Sequence, residues 1–188
     1  MKKIITTALG MLLTLSGTVK AEQVDFDNKK VLVAYFSYSG NTKEIAEAIH
    51  QKTGGDIFEI KTEGTYPAEY RPMTIQAKKE IKEGYRPKLT TQIDNIAQYD
   101  IIFLGSPNWW GTITPQVSSF LETYDLKGKI VIPFITHGGG GIQNTIKDMA
   151  AQCKNCRVIQ EGWSGYGKYK INLGKTLGGW LEDMGMKK

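Results

Sequence analysis

The sequence has few of the residues that usually bind metal ions. Its 188 residues include two histidines and two cysteines, and His50 and His137 lie far apart in the chain. A structural zinc site takes four ligands, most often from cysteine and histidine. Cys153 and Cys156 would therefore need two further ligands, which argues against a metal centre.

No apolar segment is long enough to span a membrane. The N-terminal apolar segment has only 16 uncharged residues, between Lys3 and Lys20, whereas a membrane-spanning helix needs about 20. A basic start, a short apolar stretch and small residues at Val19 and Ala21 are typical of a Sec-type signal peptide, and no cysteine stands at the cleavage point to carry a lipid. We expect residues 1–21 to be cleaved and the mature protein to be periplasmic or secreted, with no membrane anchor.

The basic charge says little about partners. The net charge of +5 includes three lysines and no acid from residues 1–21, so the remaining 167 residues carry +2. Such a weak charge gives no reason to expect a nucleic-acid partner. With 40% hydrophobic and 23% charged residues, the composition is that of an ordinary globular protein, and residues 22–188 are predicted to form a single domain.

Apolar strands alternate with amphipathic helices from Lys30 onward. Residues 31–36 are predicted to form a strand buried on both faces, and residues 42–52 a helix with one apolar face. Thr114 and Pro115 are typical of a helix start. This alternation predicts a parallel sheet with helices on both faces. Further strands are predicted at 56–60, 101–105, 129–135 and 157–160, and further helices at 67–83, 141–151 and 173–184.

The loop after the first strand is suited to a phosphate. Ligands of open parallel sheets bind beyond the carboxyl ends of the strands, and hydroxyls beside a helix N-terminus can surround a phosphate. The loop lacks the lysine of nucleotide-triphosphate loops, and the chain has no Gly-x-Gly-x-x-Gly. A phosphate monoester is the ligand we expect; the alternative is a turn that only caps the helix. The loop consists of Ser37, Tyr38, Ser39, Gly40, Asn41 and Thr42.

The loops after the third and fourth strands favour a flat ligand. Two indoles in a solvent-facing loop are explained by stacking on an aromatic ring, or by one of them packing into the core. A run of four glycines, 138–141, allows the backbone to approach a ligand edge. The second loop is Pro107, Asn108, Trp109, Trp110, Gly111 and Thr112, and the third is Thr136, His137, Gly138, Gly139 and Gly140.

Together these loops resemble those of the flavodoxins, specifically the branch with a Trp-Trp-Gly second loop. The resemblance runs from about Val31 to the C-terminus, and residues 37–42 match the phosphate pattern Thr/Ser-x-Thr/Ser-Gly-x-Thr. It implies a doubly wound, five-stranded parallel sheet of order 2-1-3-4-5 in three α/β/α layers. It also implies one non-covalently bound FMN, contacted by the residues of the three loops named above.

The resemblance implies roles within the second loop. Trp109 would lie against the flavin ring, and the peptide between Trp110 and Gly111 would reorient when the flavin is reduced. Flavodoxins are generally acidic, and the charge of +2 departs from this. A tyrosine that often covers the outer ring face is absent from the third loop. That face would be open to a substrate or covered by Trp163, Tyr166 or Tyr169.

Four functions fit these observations. The first is an exported, monomeric FMN electron carrier whose partner is a redox protein or a small-molecule acceptor; its FMN would be acquired after export, because Sec substrates cross unfolded. The second is an NAD(P)H-dependent FMN-containing quinone or flavin reductase. The third is a hydrolase using Ser164, although its loop lacks the last glycine of a Gly-x-Ser-x-Gly elbow. The fourth is a module that only holds FMN.

The two cysteines are predicted to form a disulfide. They stand in the order Cys-Lys-Asn-Cys, and export would place them where disulfides persist. We expect Cys153 and Cys156 to be bonded near a helix end and to have a structural role. The alternative is a dithiol that exchanges electrons with the flavin.

Overall fold

The computed structural model describes residues 22–166 and 173–186. The predicted signal peptide and Tyr169 lie outside these ranges. Strands and helices alternate through the chain as predicted, with one 3₁₀ turn at Ile96–Gln98. The strands are β1 (Val31–Tyr35), β2 (Asp56–Glu59), β3 (Ile101–Pro107), β4 (Ile130–His137), β5 (Arg157–Val158) and β6 (Trp163–Tyr166). The helices are α1 (Asn41–Thr53), α2 (Tyr70–Glu83), α3 (Pro115–Thr123), α4 (Thr145–Gln152) and α5 (Leu173–Asp183).

All strand pairs of the sheet are parallel, in the order β2-β1-β3-β4-β5. This confirms the predicted order 2-1-3-4-5. β1 is buried along its whole length, as expected of a central strand covered on both faces. Because β1, β3 and β4 are adjacent, the three predicted ligand loops meet at one edge of the sheet.

The edge strand differs from the prediction of one continuous strand at 157–160. β5 pairs with the start of β4 and β6 with its end. The carbonyls of Lys129 and Val131 accept hydrogen bonds from this edge, so Pro133, two residues further, faces the same way. Proline has no N–H to donate. The pairing therefore breaks at Pro133: Ile159 still donates to the Val131 carbonyl, residues 160–162 follow outside the strands, and β6 resumes the pairing.

Other element bounds also shift. β3 and β4 extend to Pro107 and His137, so these residues end strands instead of standing in loops. α2 begins at Tyr70 instead of residue 67. α4 begins at Thr145 instead of residue 141, because the glycine run continues as irregular backbone. These changes lengthen the third loop and bring the strand ends up to the site.

Helices cover both faces of the sheet. Alternate strand residues point to opposite sides, so Leu32 and Ile102 pack with α3 and α4, while Val33 and Phe103 pack with α1 and α5. The two apolar clusters define three α/β/α layers. In the described part of the chain, no helix is long and apolar enough to cross a membrane.

Cys153 and Cys156 are joined by a disulfide directly after α4. Cys153 is buried in the cluster beneath α3 and α4, and Cys156 packs against it. The N–H of Gly128 donates to the carbonyl of Asn155, 2.9 Å away, so the disulfide turn is fixed next to the start of β4. This is the end of the sheet opposite the ligand loops.

Candidate functional site

A cavity of about 570 Å³ opens at the carboxyl ends of β1, β3 and β4. Its volume is in the range of small-molecule and cofactor sites, about 300–1,000 Å³. All three predicted loops contribute to it, together with β6 and α2. The lining residues are Tyr38, Ser39, Asn41, Thr42, Tyr70, Met73, Thr74, Ala77, Pro107, Asn108, Trp109, Trp110, Thr136, His137, Gly138 and Tyr166.

The loop after β1 is arranged for an anion. Gly40 has φ +88° and precedes α1, and no side chain caps this helix. Ser39 Oγ accepts a hydrogen bond from Asn41 Nδ2 at 3.0 Å. Within the described residues, the buried Ser37 Oγ has no hydrogen-bond partner. An unpaired buried hydroxyl beside free helix N–H groups is the environment that a phosphate completes.

The first and third loops are joined by a buried contact. The hydroxyls of Thr42 and Thr136 lie 2.8 Å apart, and both residues are almost fully buried. This bond holds the end of β4 against the first turn of α1. The Thr42 hydroxyl therefore has a structural partner, unlike that of Ser37.

Asn108 ties the second loop to the third. Its Nδ2 donates to the Gly141 carbonyl at 2.6 Å, and its Oδ1 accepts from the Gly111 N–H at 2.9 Å. Its backbone N–H donates to the Thr136 carbonyl at 2.7 Å. The Gly111 carbonyl accepts from the N–H of Asn144, just before α4. These contacts fix the position of the two indoles relative to the glycine-rich loop.

The two indoles have different environments. Trp109 is half-buried and packs edge-on against Phe36, Tyr38 and Tyr66, with ring centroids 5.0–5.9 Å apart. Trp110 is 55% exposed and has φ +54°. Trp109 is therefore partly packed into the protein, as the alternative interpretation expected for one of the two indoles. Both indoles still line the cavity.

A polar network lies behind Trp109. The Tyr66 hydroxyl donates to the Glu80 carboxylate and accepts from Gln116 Nε2 at 3.0 Å. Gln76 Nε2 also donates to Glu80, at 2.8 Å. Burial, and then the bond to Glu80, raise the pKa of Tyr66 far above its usual value of 10. Tyr66 therefore stays protonated and holds the aromatic cluster in place.

His137 closes the cavity on the third-loop side. Its Nδ1 accepts from the Gly139 N–H at 3.1 Å, which places the proton of the neutral ring on Nε2. Burial lowers the pKa of His137 below 6.5, so the ring is neutral at pH 7. The ring of Tyr166 lies 6.0 Å away, edge-on.

The third loop lacks the tyrosine that often covers the outer face of the flavin ring. Tyr166, which lines the cavity, is the candidate to replace it. Trp163, two residues earlier, packs against the core between the sheet, α1 and α5, and Tyr169 lies outside the described residues. Among the described residues, Tyr166 is thus the one of the three that lines the cavity.

Eleven of the seventeen predicted cofactor residues line the cavity. The other six stand in the same loops without lining the wall: Ser37, Gly40, Gly111, Thr112, Gly139 and Gly140. Sequence reasoning missed α2, which contributes four lining residues. The four-residue spacing of Met73 and Ala77 did predict an apolar helix face. Periodicity alone does not predict that this face lines the ligand cavity. Across residues 22–166 and 173–186, no cluster of three or more metal-binding side chains occurs.

The fold and the loops define a doubly wound α/β protein with a hydroxyl-rich loop before α1 and two indoles in its second ligand loop. A sequence model described as flavodoxin matches residues 30–181. The chain therefore belongs to the flavodoxin family.

Two solved structures show the likeness in three dimensions. A Bacteroides eggerthii protein is 30% identical, with a TM-score of 0.72 over 85% of this chain and all of its own. A Lactobacillus acidophilus flavoprotein, solved in complex with FMN, is 29% identical, with a TM-score of 0.63 over 72% of this chain and 92% of its own.

Curated relatives carry an enzyme name. A Rhodopseudomonas palustris protein named NAD(P)H dehydrogenase (quinone) is 27% identical over 154 residues, which cover 80% of this chain and 73% of that protein. A Cupriavidus metallidurans protein of the same name is 29% identical over 96 residues, half of this chain and 45% of that protein. The chain thus matches less than half the length of the second relative.

Proposed function

We propose that this protein binds FMN non-covalently in the cavity and transfers electrons outside the cytoplasm. Membership of the flavodoxin family and the FMN complex of the Lactobacillus relative both support FMN as the cofactor. FMN supplies redox chemistry that amino-acid side chains lack. The protein contributes the phosphate loop, the walls that exclude water from the ring, and the polar groups that orient it.

The observation that carries this proposal is the unpaired Ser37 hydroxyl. A buried polar atom without a partner costs about 1–3 kcal/mol, so its retention in the loop between β1 and α1 needs a reason. The FMN phosphate supplies an acceptor there, and the free N–H groups of the first helical turn add further donors. The wall residues Trp109, Asn108 and His137 then face the ring side of the same cavity.

Ser37→Ala tests the phosphate position. A hydrogen bond to a charged group contributes about 1.5–3 kcal/mol, so FMN affinity should fall roughly ten- to hundredfold. Riboflavin, which lacks the phosphate, should bind the variant as it binds the unmodified protein. Thr42→Val is a poorer probe, because it also leaves Thr136 without its 2.8 Å partner.

Ser164→Ala is the matched control, because Ser164 is an exposed serine outside the cavity wall. It should leave both flavin affinities unchanged. Equal losses of FMN and riboflavin in Ser37→Ala would place the phosphate elsewhere. An absence of flavin binding in the unmodified protein would overturn the function itself.

The second candidate is an FMN-containing NAD(P)H-dependent quinone or flavin reductase. The names of the curated relatives favour it, and the cavity extends along α2, beyond the three predicted loops. Steady-state oxidation of NADPH with a quinone acceptor distinguishes the two. Sustained turnover supports the reductase, and reduction only by protein donors supports the carrier.

We also propose that residues 1–21 are a cleaved signal peptide and that the mature protein is a periplasmic or secreted monomer. The support is the charge and size pattern of that segment. N-terminal sequencing of the exported protein should give Glu22 as the first residue. Its partner is proposed to be a redox protein or a small electron acceptor.

A further inference from the structure

We infer that α2 forms a second subsite of the cavity, which binds a flat aromatic molecule carrying a negative charge. This inference rests on the proposed function, because the subsite adjoins the proposed flavin position. We call it the α2 wall, and it consists of Tyr70, Met73, Thr74, Ala77, Lys78 and Trp110.

One face of α2 is directed into the cavity. Tyr70, Met73, Thr74 and Ala77 all line it, and their spacing of three, one and three residues places them on a single helical face. Met73 and Ala77 are buried and form the floor, whereas Tyr70 is 77% exposed at the mouth. None of these residues belongs to the three loops that match the flavodoxin pattern.

Trp110 forms the opposite side of this mouth. Its Nε1 donates to the Thr74 carbonyl at 2.9 Å, which fixes the indole against α2. The residue has φ +54°, a backbone conformation that is rare and sterically unfavourable for a bulky side chain. The fold thus holds a large aromatic ring exposed, at a cost in backbone energy, where it can stack on a ligand.

One positive charge, that of Lys78, stands at the mouth. Lys78 Nζ lies 4.4 Å from the centre of the Trp110 ring. Lys79 lines a different cavity, next to Glu80, so Lys78 is the cation that the structure places at Trp110. Glu80, just beyond, accepts hydrogen bonds from Tyr66 and Gln76. A ring with an anionic substituent therefore matches both the aromatic residues and the charge.

The test is the binding of 2-naphthalenesulfonate, a flat aromatic anion without redox activity, to the FMN-loaded protein. Tyr70→Ala removes an aromatic wall and Lys78→Gln removes a charge. We expect each to weaken binding roughly three- to tenfold in a calorimetric titration. The neutral 2-naphthylmethanol should lose affinity in Tyr70→Ala but not in Lys78→Gln.

Two controls lie on the same helix. Ile75→Ala removes an exposed apolar side chain, 62% exposed, that does not line the cavity, and Lys82→Gln removes a cation one turn beyond Lys78. Both should leave naphthalenesulfonate binding unchanged. FMN affinity is measured first for every variant by quenching of flavin fluorescence, so that each protein is saturated with FMN during the naphthalenesulfonate titration.

The outcomes separate the two proposals. If the protein binds no FMN, the proposed function and this inference fail together. If FMN binds normally but naphthalenesulfonate does not bind, or binds equally well to Tyr70→Ala and Lys78→Gln, only the inference is overturned. Losses of equal size in Ile75→Ala and Lys82→Gln would also overturn it, because the effect would then not be specific to the α2 wall.

Discussion

Both backbone polar groups of Gly111 are hydrogen-bonded, and its carbonyl connects the indole loop to the residue that precedes α4. Its N–H donates to Asn108 and its carbonyl accepts from Asn144, while its φ is +87°. Only glycine adopts this conformation without steric cost. A Cβ would also lie 2.6 Å from Gln143 Oε1. Gly111→Ala should therefore lower the free energy of unfolding by about 1–2 kcal/mol and weaken FMN binding, measured by urea titration and flavin fluorescence.

Two further variants separate the causes. Gln143 Oε1 is the end of a flexible side chain and can rotate away from the new Cβ. Adding Gln143→Ala to Gly111→Ala should therefore recover only a small part of the lost stability. Gly138→Ala is the glycine control for the stability measurement alone, because a Cβ there meets nothing within 4 Å, while Gly138 itself lines the cavity. Full recovery in the double variant would mean that the clash, not the backbone conformation, sets the cost. An equal loss in Gly138→Ala would deny Gly111 a special role.

At the residue scale, the sequence predicts those parts of the cavity that are formed by residues close together in the chain. Hydroxyls next to a helix start and glycines after a strand identify loops by their own composition. The α2 wall and the bond between Thr42 and Thr136 were not predictable, because they join residues far apart in the chain. The choice between Trp109 and Trp110 also depends on tertiary packing, since both are indoles in the same loop.

At the element scale, α4 and the disulfide that follows it show which part of the protein is structural. α4 begins next to the third loop and ends at Gln152, about 12 Å further along its axis. The bonded cysteines follow immediately and contact the turn that precedes β4. A dithiol at this position is separated from the ligand cavity by the length of the helix, which favours the structural role.

Removal of the disulfide should therefore affect stability alone. Its loop is very short, and the chain-entropy relation gives about 2 kcal/mol for a closure of this length. A Cys153→Ser, Cys156→Ser double variant should lose stability by about that amount in urea unfolding and keep its FMN affinity. The reduced unmodified protein is the matched control and should show the same loss. Slower electron transfer in a folded double variant would contradict the structural role.

The same scale explains why strand bounds were harder to predict than strand order. The alternation of apolar runs and helices determines the number and direction of the main strands. The break at the edge depends on which way Pro133 faces in the sheet, and this follows only from the register with Lys129 and Val131. The apolar run 129–135 alone does not predict that the strand next to it splits into β5 and β6.

At the scale of the whole molecule, the architecture was predictable because every level of the sequence agrees. Buried parallel strands, amphipathic helices and helix-start signals all lead to one three-layer sheet. The site could be predicted to its three loops, because parallel strands bring their carboxyl ends to the same edge. The positions of residues within the site depend on long-range contacts such as those of Asn108 and Tyr66.

The stability of the whole protein should depend on pH through His137. Burial lowers its pKa in the folded state, while an unfolded histidine titrates near 6.5. Below about pH 6.5 the unfolded chain therefore binds more protons, and stability falls as the pH decreases toward the folded pKa, where this contribution levels off. Protonation of Nδ1 would also remove the bond from the Gly139 N–H.

His137→Gln removes this contribution. Urea unfolding of the flavin-free protein between pH 8 and pH 5 should show a smaller loss of stability in the variant than in the unmodified protein. Comparison at pH 8, where His137 is neutral in both states, corrects for contacts that the substitution itself removes. An NMR titration of the His137 ring gives the folded pKa directly. Parallel stability curves, or a ring that titrates at or above 6.5, would show that the third loop does not hold this histidine neutral.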